Sequence, residues 1–395
     1  MLTERMNKAF ANKTGEDAFT WTTAADRIDA GGEGVPTLRC QIGQIKYPVC
    51  ESLIDSTAIS LCNQDVGYVG SQGILKTRQA IAEDFNQLRG TGITADHVGI
   101  SPGAKPWIFA TCQAFLKSGD FVFLPRPGYP IYEAEVKYMG AIPVPLPLKS
   151  NGHIDLLKFG ILVERLKPKL VILNYPANPA GVILTRSEAE KISKIAVQHD
   201  LLILSDEAYS RILYDNNEFV SVSSFPGMLE RTIVIDAMSK TGAVPGFRMG
   251  WGVVPLEIMG KFTTFLGNIY SCVPPFIQIG VAEVLGKCRF GYYQHVSGMV
   301  AELQSRRDLL CEGMRTVPKI SFRRPQGAMY LWVNIQEVGK SSFDFCELLM
   351  HKWRLVTLPG TSFNQEGYIR ICFGSTPQEV IPQISQRITD CIASL

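Results

Sequence analysis

The chain has 395 residues, 46% of them hydrophobic and 19% charged, which is enough apolar material for a large buried core and excludes a disordered or fibrous protein. A formal net charge of +2, with no run of lysines and arginines, excludes a surface built to track a phosphate backbone, so nucleic acid is not an expected partner. The 10 cysteines include no Cys-x-x-Cys pair, and no His-Glu-x-x-His occurs, so no metal is expected. Reduced thiols, a charged stretch at residues 1–10 unlike a signal peptide, and no apolar run able to span a bilayer point to the cytoplasm and away from membranes.

In chain order, residues 1–45 read as an arm and lead-in, weakly helical at 24–28 and broken by Gly31-Gly-Glu-Gly34. A turn-rich loop at 68–73 precedes an amphipathic helix at 74–88. A short strand at 98–100, a Ser101-Pro-Gly103 turn and a helix over 104–116 follow, an order whose first helical amides can hold an anion. Apolar strands at 121–124, 142–146, 170–173, 201–204, 233–235 and 253–254 alternate with helices in the rhythm of a parallel sheet. Asp155 opens a helix that runs to 166, and Thr185 with Glu188 makes a capping box for one that ends near 198. From about 287 the pattern changes: a helix at 295–314, strands at 329–333, 355–358 and 368–373, a helix at 343–353, and a last helix opened by Thr376-Pro-Gln-Glu379. The expected fold class is α/β. A mostly parallel central sheet occupies a large domain at 46–286, and a smaller α+β domain combines the arm, 1–45, with the C-terminal part, 287–395.

Strand ends are where such sheets bind ligands, and three of them carry polar residues. They are Asn174-Tyr-Pro-Ala-Asn178-Pro-Ala-Gly181, Ser205-Asp206-Glu-Ala-Tyr209, and the segment 236–250. The last reads as a loop between two buried strands with Lys240 alone at its mouth. Ser239 and Arg248 flank that amine with a hydroxyl and a fork of donors suited to an anion, an arrangement suited to pyridoxal phosphate. Taken by itself, the segment reads more readily as a solvated loop lysine beside a surface arginine, and the rest of the chain decides.

The combination in order, Asn-x-Pro-x-Asn-Pro-x-Gly, then Asp-x-x-Tyr, then Ser-Lys with an arginine eight residues on, resembles the class I/II aminotransferases of the aspartate aminotransferase fold, or fold-type I pyridoxal-phosphate enzymes. The resemblance runs from about Gly43 to Arg370. It implies pyridoxal 5′-phosphate as cofactor, with Lys240 as Schiff-base lysine and later proton carrier, and Asp206 as partner of the pyridine nitrogen. It further implies Asn178 and Tyr209 as donors to the ring hydroxyl and Tyr129 as the stacking aromatic. Gly103, Ala104, Ser239 and Arg248 would hold the phosphate, with the Lys105 side chain left open, and Tyr68 would reach the phosphate from a neighbouring subunit of a homodimer. Arg370 would take the substrate α-carboxylate, with Asn178 and Gly43 also at the substrate.

The implied activity is amino-group transfer between an L-amino acid and a 2-oxo acid by a ping-pong mechanism. The alternatives are a lyase or other carbanion chemistry on the same cofactor, and a non-catalytic cofactor-binding protein. Two residues depart from the family pattern: Ala180 where threonine or serine is usual, and Ala237 where serine or glycine is usual. Tyr47, Tyr270 and Cys272 are candidate pocket linings, with ordinary packing as the competing role.

Overall fold

The computed structural model describes residues 17–31 and 35–395, so residues 1–16 of the expected arm, 1–45, and part of its Gly31-Gly-Glu-Gly34 break lie outside the described residues. After β1 (Leu38–Arg39) come β2 (Val98–Ser101), β3 (Phe121–Leu124), β4 (Ile142–Pro145), β5 (Leu170–Asn174), β6 (Leu202–Asp206), β7 (Thr232–Ala237) and β8 (Gly250–Val253). Strands β2 to β8 form one seven-stranded sheet in the order β2-β8-β7-β6-β5-β3-β4. β8 runs antiparallel to β2 and β7, and every other pair is parallel, giving the mostly parallel sheet that the sequence rhythm predicts.

Both faces of that sheet are covered. Leu170 and Ile172 of β5 enter one core, filled by the helices Lys105–Phe115, Pro130–Tyr138 and Leu256–Tyr270. Val171 and Leu173 enter the opposite core, filled by the helices Leu156–Leu166 and Arg186–Gln198. A strand with helices on both sides has no wet face, which explains why β5 is a continuous apolar run rather than an alternating one.

Glycine on two paired strands sets how closely one of these helices approaches. Gly99 of β2 faces Gly252 of β8 in register, and a Cβ built on either would lie 2.7 or 2.4 Å from the Trp107 ring. The fully buried Trp107 therefore seats the helix Lys105–Phe115 flat on the sheet and fixes the Gly103–Ala104 turn ahead of it.

A second sheet, entirely antiparallel, has the order β12-β13-β10-β9: β9 (Ser321–Phe322), β10 (Tyr330–Asn334), β12 (Leu358–Pro359) and β13 (Tyr368–Cys372). β11 (Leu355–Val356) pairs in parallel with β1, tying the segment after the arm to the C-terminal part. Leu331, Val333, Ile369 and Ile371 pack with Leu303, Leu310, Ile384 and Ile388 of two long helices.

The capping box of Thr185 and Glu188 is formed, and the Asp155 side chain accepts from the Lys158 amide. The last helix begins at Ile381 after a 3-10 turn, Gln378–Val380, rather than at 376. Thr376 is buried, with its hydroxyl 3.5 Å from Cys40 Sγ, and so cannot serve as the expected cap. The long helix starts at Arg289, not 295. Periodicity does not delimit the helix Pro275–Leu285, because seven of its residues are buried and no apolar stripe stands out. Among the described residues, no helix is long and apolar enough to cross a membrane.

Candidate active site

Three parallel strands deliver the polar segments to one place: Asn174 ends β5, Asp206 ends β6, and β7 leads into Lys240. Lys240 sits on a single helical turn, Met238–Thr241, followed by a 3-10 turn, Pro245–Phe247, so the expected loop is mostly helical turns. These ends line a cavity of about 470 Å³ that also receives Arg370 and Tyr330 from the antiparallel sheet and Gly43 from the stretch before it.

Asp206 is buried, and its carboxylate accepts from the Tyr132 hydroxyl at 2.6 Å and the Ala208 amide at 3.2 Å. Burial pushes this carboxyl above the ordinary range, and the two hydrogen bonds oppose the shift. The Lys240 ammonium, close enough to act on this carboxylate, opposes the shift as well. Asn174 holds the strand end from behind, donating to the Asp206 carbonyl at 3.1 Å and accepting the Asn178 amide at 2.9 Å.

The Lys240 ammonium donates to the Gly43 carbonyl and lies 6.0 Å from the centre of the Tyr209 ring. The Tyr209 hydroxyl meets the Tyr330 hydroxyl at 2.7 Å, and burial, followed by that neighbour, raises the Tyr209 phenol well above its usual range.

Arg370 is buried and held from two sides: it donates to Asn178 Oδ1 at 3.0 Å and to the Gln41 carbonyl at 2.5 Å. Its guanidinium lies between the rings of Tyr330 and Phe363, at 4.4 and 4.8 Å from their centres. The Nε hydrogen is buried without an acceptor, and among the described residues no carboxylate pairs with the group.

At the far end, Gly103 has φ +86°, and a Cβ on it would lie 2.6 Å from Arg248. Gly250 packs so closely that its Cβ would meet the Gly103 carbonyl carbon at 2.4 Å. Only glycine fits either place, and the result is a tight cradle of Gly103, Ala104, Ser239 and Arg248. Arg248 donates to the Pro245 and Pro102 carbonyls at 2.9 and 2.8 Å, which aims its fork across the cradle. The Gly103 amide closes the turn onto the Ser101 carbonyl at 2.8 Å, so of the two expected amides it is already engaged. The helix starting at Lys105 has no side-chain cap.

Tyr129 lines the cavity and packs edge-on against Tyr132, ring centres 5.6 Å apart. The Lys105 ammonium lies 5.8 Å from the Tyr129 ring. Ala237 also lines the cavity. Tyr68 does not: it is 91% exposed. Ala180 borders a different cleft, and Tyr47, Tyr270 and Cys272 lie outside the catalytic lining. Tyr47 packs edge-on against His295, and the Tyr270 hydroxyl donates to the Ile100 carbonyl. Sequence reasoning missed Tyr132, Tyr330 and Gln41. Tyr132 carries a weak signal, three residues after Tyr129 on one helical face, while Tyr330 looks like any residue of an apolar strand.

An amine, a buried carboxylate and a guanidinium opening into one cavity define a site for small molecules that carry a carboxylate. The chain belongs to the aminotransferase class I and II family, whose pattern matches residues 38–388. It is an aminotransferase, moving an amino group between an amino acid and a 2-oxo acid. It is 32% identical to aromatic-amino-acid aminotransferase 2 of Thermococcus litoralis over 89% of this chain and 90% of that one. Identity to the arginine–pyruvate transaminase of Pseudomonas aeruginosa is 29%, over 96% of both chains. The aromatic aminotransferase of Pyrococcus horikoshii has a similar structure, with TM-score 0.86 and 28% identity, over 94% of this chain and 98% of that one.

Proposed function

We propose that the chain is a pyridoxal-phosphate-dependent aminotransferase of L-amino acids that works by ping-pong, with its chemistry in the cavity around Lys240. One observation carries the reading: Lys240, Asp206 and Arg370, from segments far apart in sequence, converge in a single cavity.

The residues present fit the cofactor. A buried carboxylate at the strand end suits the protonated ring nitrogen, and a cradle where two glycines admit no Cβ suits a phosphate. Bound there, the cofactor supplies the electron sink that makes the amino acid Cα–H acidic. Asp206, oriented by Tyr132 and Ala208, keeps the ring nitrogen protonated. Lys240 would hold the cofactor, and its amine would carry the proton at the substrate Cα, while the Gly43 carbonyl positions its ammonium. Arg370 binds the substrate carboxylate, and Asn178 keeps the guanidinium in place. Asn178 and Tyr209 would donate to the ring hydroxyl, Tyr129 would stack on the ring, and Ser239, Arg248 and the Ala104 amide would hold the phosphate, with Gly103, its amide closed onto the Ser101 carbonyl, shaping the turn.

The working unit in this reading is a cytoplasmic homodimer. Ile54, Ile59, Leu61, Val66 and Ile269 are each between 48% and 61% exposed, on segments next to the fully presented Tyr68. Ser71 lies against Gly267, which brings the loop after Tyr68 beside the end of the helix Leu256–Tyr270. Such an apolar face suits a second copy, with Tyr68 of the partner subunit reaching the phosphate. Residues 46–286 act as the cofactor domain, and 1–45 with 287–395 as the smaller one.

The test is visible absorption of the protein with pyridoxal phosphate during addition of aspartate, phenylalanine, tyrosine or arginine. The expected result is a cofactor band that one amino acid bleaches and a 2-oxo acid restores. A band that persists while ammonia and a 2-oxo acid accumulate would replace this reading with a lyase.

A further inference from the structure

A second cleft, about 480 Å³, lies on the other side of Asn174. One wall comes from the carboxyl ends of β3, β4 and β5, and the other from the antiparallel sheet through Arg323, Trp332 and Tyr368. Arg126, Lys149 and Arg323 line it, and among the described residues no carboxylate does. The Arg126 charge is matched by Glu133 at 2.6 Å, outside the lining, whereas among the described residues no carboxylate pairs with Lys149 or Arg323. Arg323 reaches across from one sheet to the other. A Cβ on Gly152, at φ +84°, would lie 2.8 Å from its guanidinium, so the glycine makes room for the arginine. Lys149 is held on the same turn, its amide donating to the His153 carbonyl at 2.8 Å and its carbonyl accepting from Gly152 at 2.9 Å. Opposite stands a flat aromatic surface: Trp332 and Tyr368 stack at 5.2 Å with 8° between their planes. Gln365 Oε1 and Arg126 Nε, both on lining side chains, are buried without hydrogen-bond partners.

We infer that this cleft is a binding site, separate from the catalytic cavity, for a small molecule that carries a phosphate on a planar ring. Two cations converging from different sheets match a doubly charged group better than a single carboxylate. The stacked pair beside them offers a face to a ring. The volume is that of a small-molecule pocket, and its walls belong to strand ends where such sheets bind ligands.

The experiment is calorimetric titration of the full chain, carrying one pyridoxal phosphate per chain and freed of excess cofactor, with phenyl phosphate as the probe and inorganic phosphate and benzoate as comparisons. The expected result is one phenyl phosphate per chain. Inorganic phosphate and benzoate should each bind at least tenfold more weakly. Lys149→Ala with Arg323→Ala should weaken phenyl phosphate at least tenfold, and Arg248→Ala should leave it unchanged. Three results overturn the proposal: no binding, binding indifferent to the Lys149 and Arg323 changes, or binding lost in Arg248→Ala, which would assign the probe to the catalytic cradle. Both cleft side chains are exposed, so their replacement does not threaten folding.

Discussion

The hydroxyls of Tyr209 and Tyr330 meet at 2.7 Å, joining residues 121 positions apart in the chain. A Cβ on Gly43 would lie 2.2 Å from that same Tyr330 hydroxyl, so Gly43 is glycine because the tyrosine pair occupies the space, and its carbonyl holds Lys240. Gly43→Ala should therefore push Tyr330 away, lower kcat, and destabilise the protein by about 1–3 kcal/mol. Adding Tyr330→Phe, which removes the clashing oxygen, should recover part of the melting temperature. Equal melting temperatures for the single variant and the wild type would refute the account.

Lys240→Ala should abolish the visible band of the cofactor-loaded protein and cut turnover by at least about a hundredfold, since both the covalent link and the proton carrier disappear. Asp206→Ala should bind cofactor weakly and lose most activity. Steady turnover in either variant, followed by coupled assay of the 2-oxo acid product, would count against these roles.

For Arg370→Ala the loss should fall on binding. A charge-assisted hydrogen-bond pair contributes about 1.5–3 kcal/mol, so KM for the amino acid should rise roughly ten- to a hundredfold. Unchanged saturation in initial-rate kinetics would mean another group takes the carboxylate.

A buried acid lies just ahead of the lysine turn. Asp236 accepts from Ser210 at 3.0 Å, lies 3.5 Å from Arg89, and is pushed by burial up to about 7 from an ordinary 3.8. The folded state then binds this proton more tightly than the unfolded chain. Between those two values the group's contribution to stability falls as pH rises. Asp236→Asn removes that slope, so the variant's melting temperature relative to wild type should climb between pH 4 and 7. A flat difference across that range would show that Asp236 does not titrate there.

If the exposed apolar face is a dimer interface, Ile59→Asp should shift the sedimentation coefficient toward the monomer and lower cofactor affinity together, because Tyr68 is withdrawn from the neighbouring phosphate. Dimers that persist in the variant, or wild-type protein sedimenting as a monomer, would remove Tyr68 from the site.

By itself, the sequence determined the strand-and-helix rhythm, the mostly parallel sheet, and the identity of Lys240, Asp206, Asn178, Arg248 and Arg370 as the residues to watch. These were legible because hydrophobic period, glycine turns and capping pairs are local: Thr185 and Glu188, or Ser239 and Lys240, announce themselves within a few positions. What only the tertiary structure decided lies between distant segments. Tyr132 reaches Asp206 across 74 positions, the Gly43 carbonyl reaches Lys240 across 197, and Arg370 reaches Gln41 across 329. None of these contacts leaves a periodic trace: the first depends on how the helix Pro130–Tyr138 packs on the parallel sheet, and the other two on where the stretch 41–43 settles against the lysine turn and β13. The cleft between Arg323 and Lys149 has the same origin: two ordinary surface cations in sequence become one positive site only when two sheets bring them face to face.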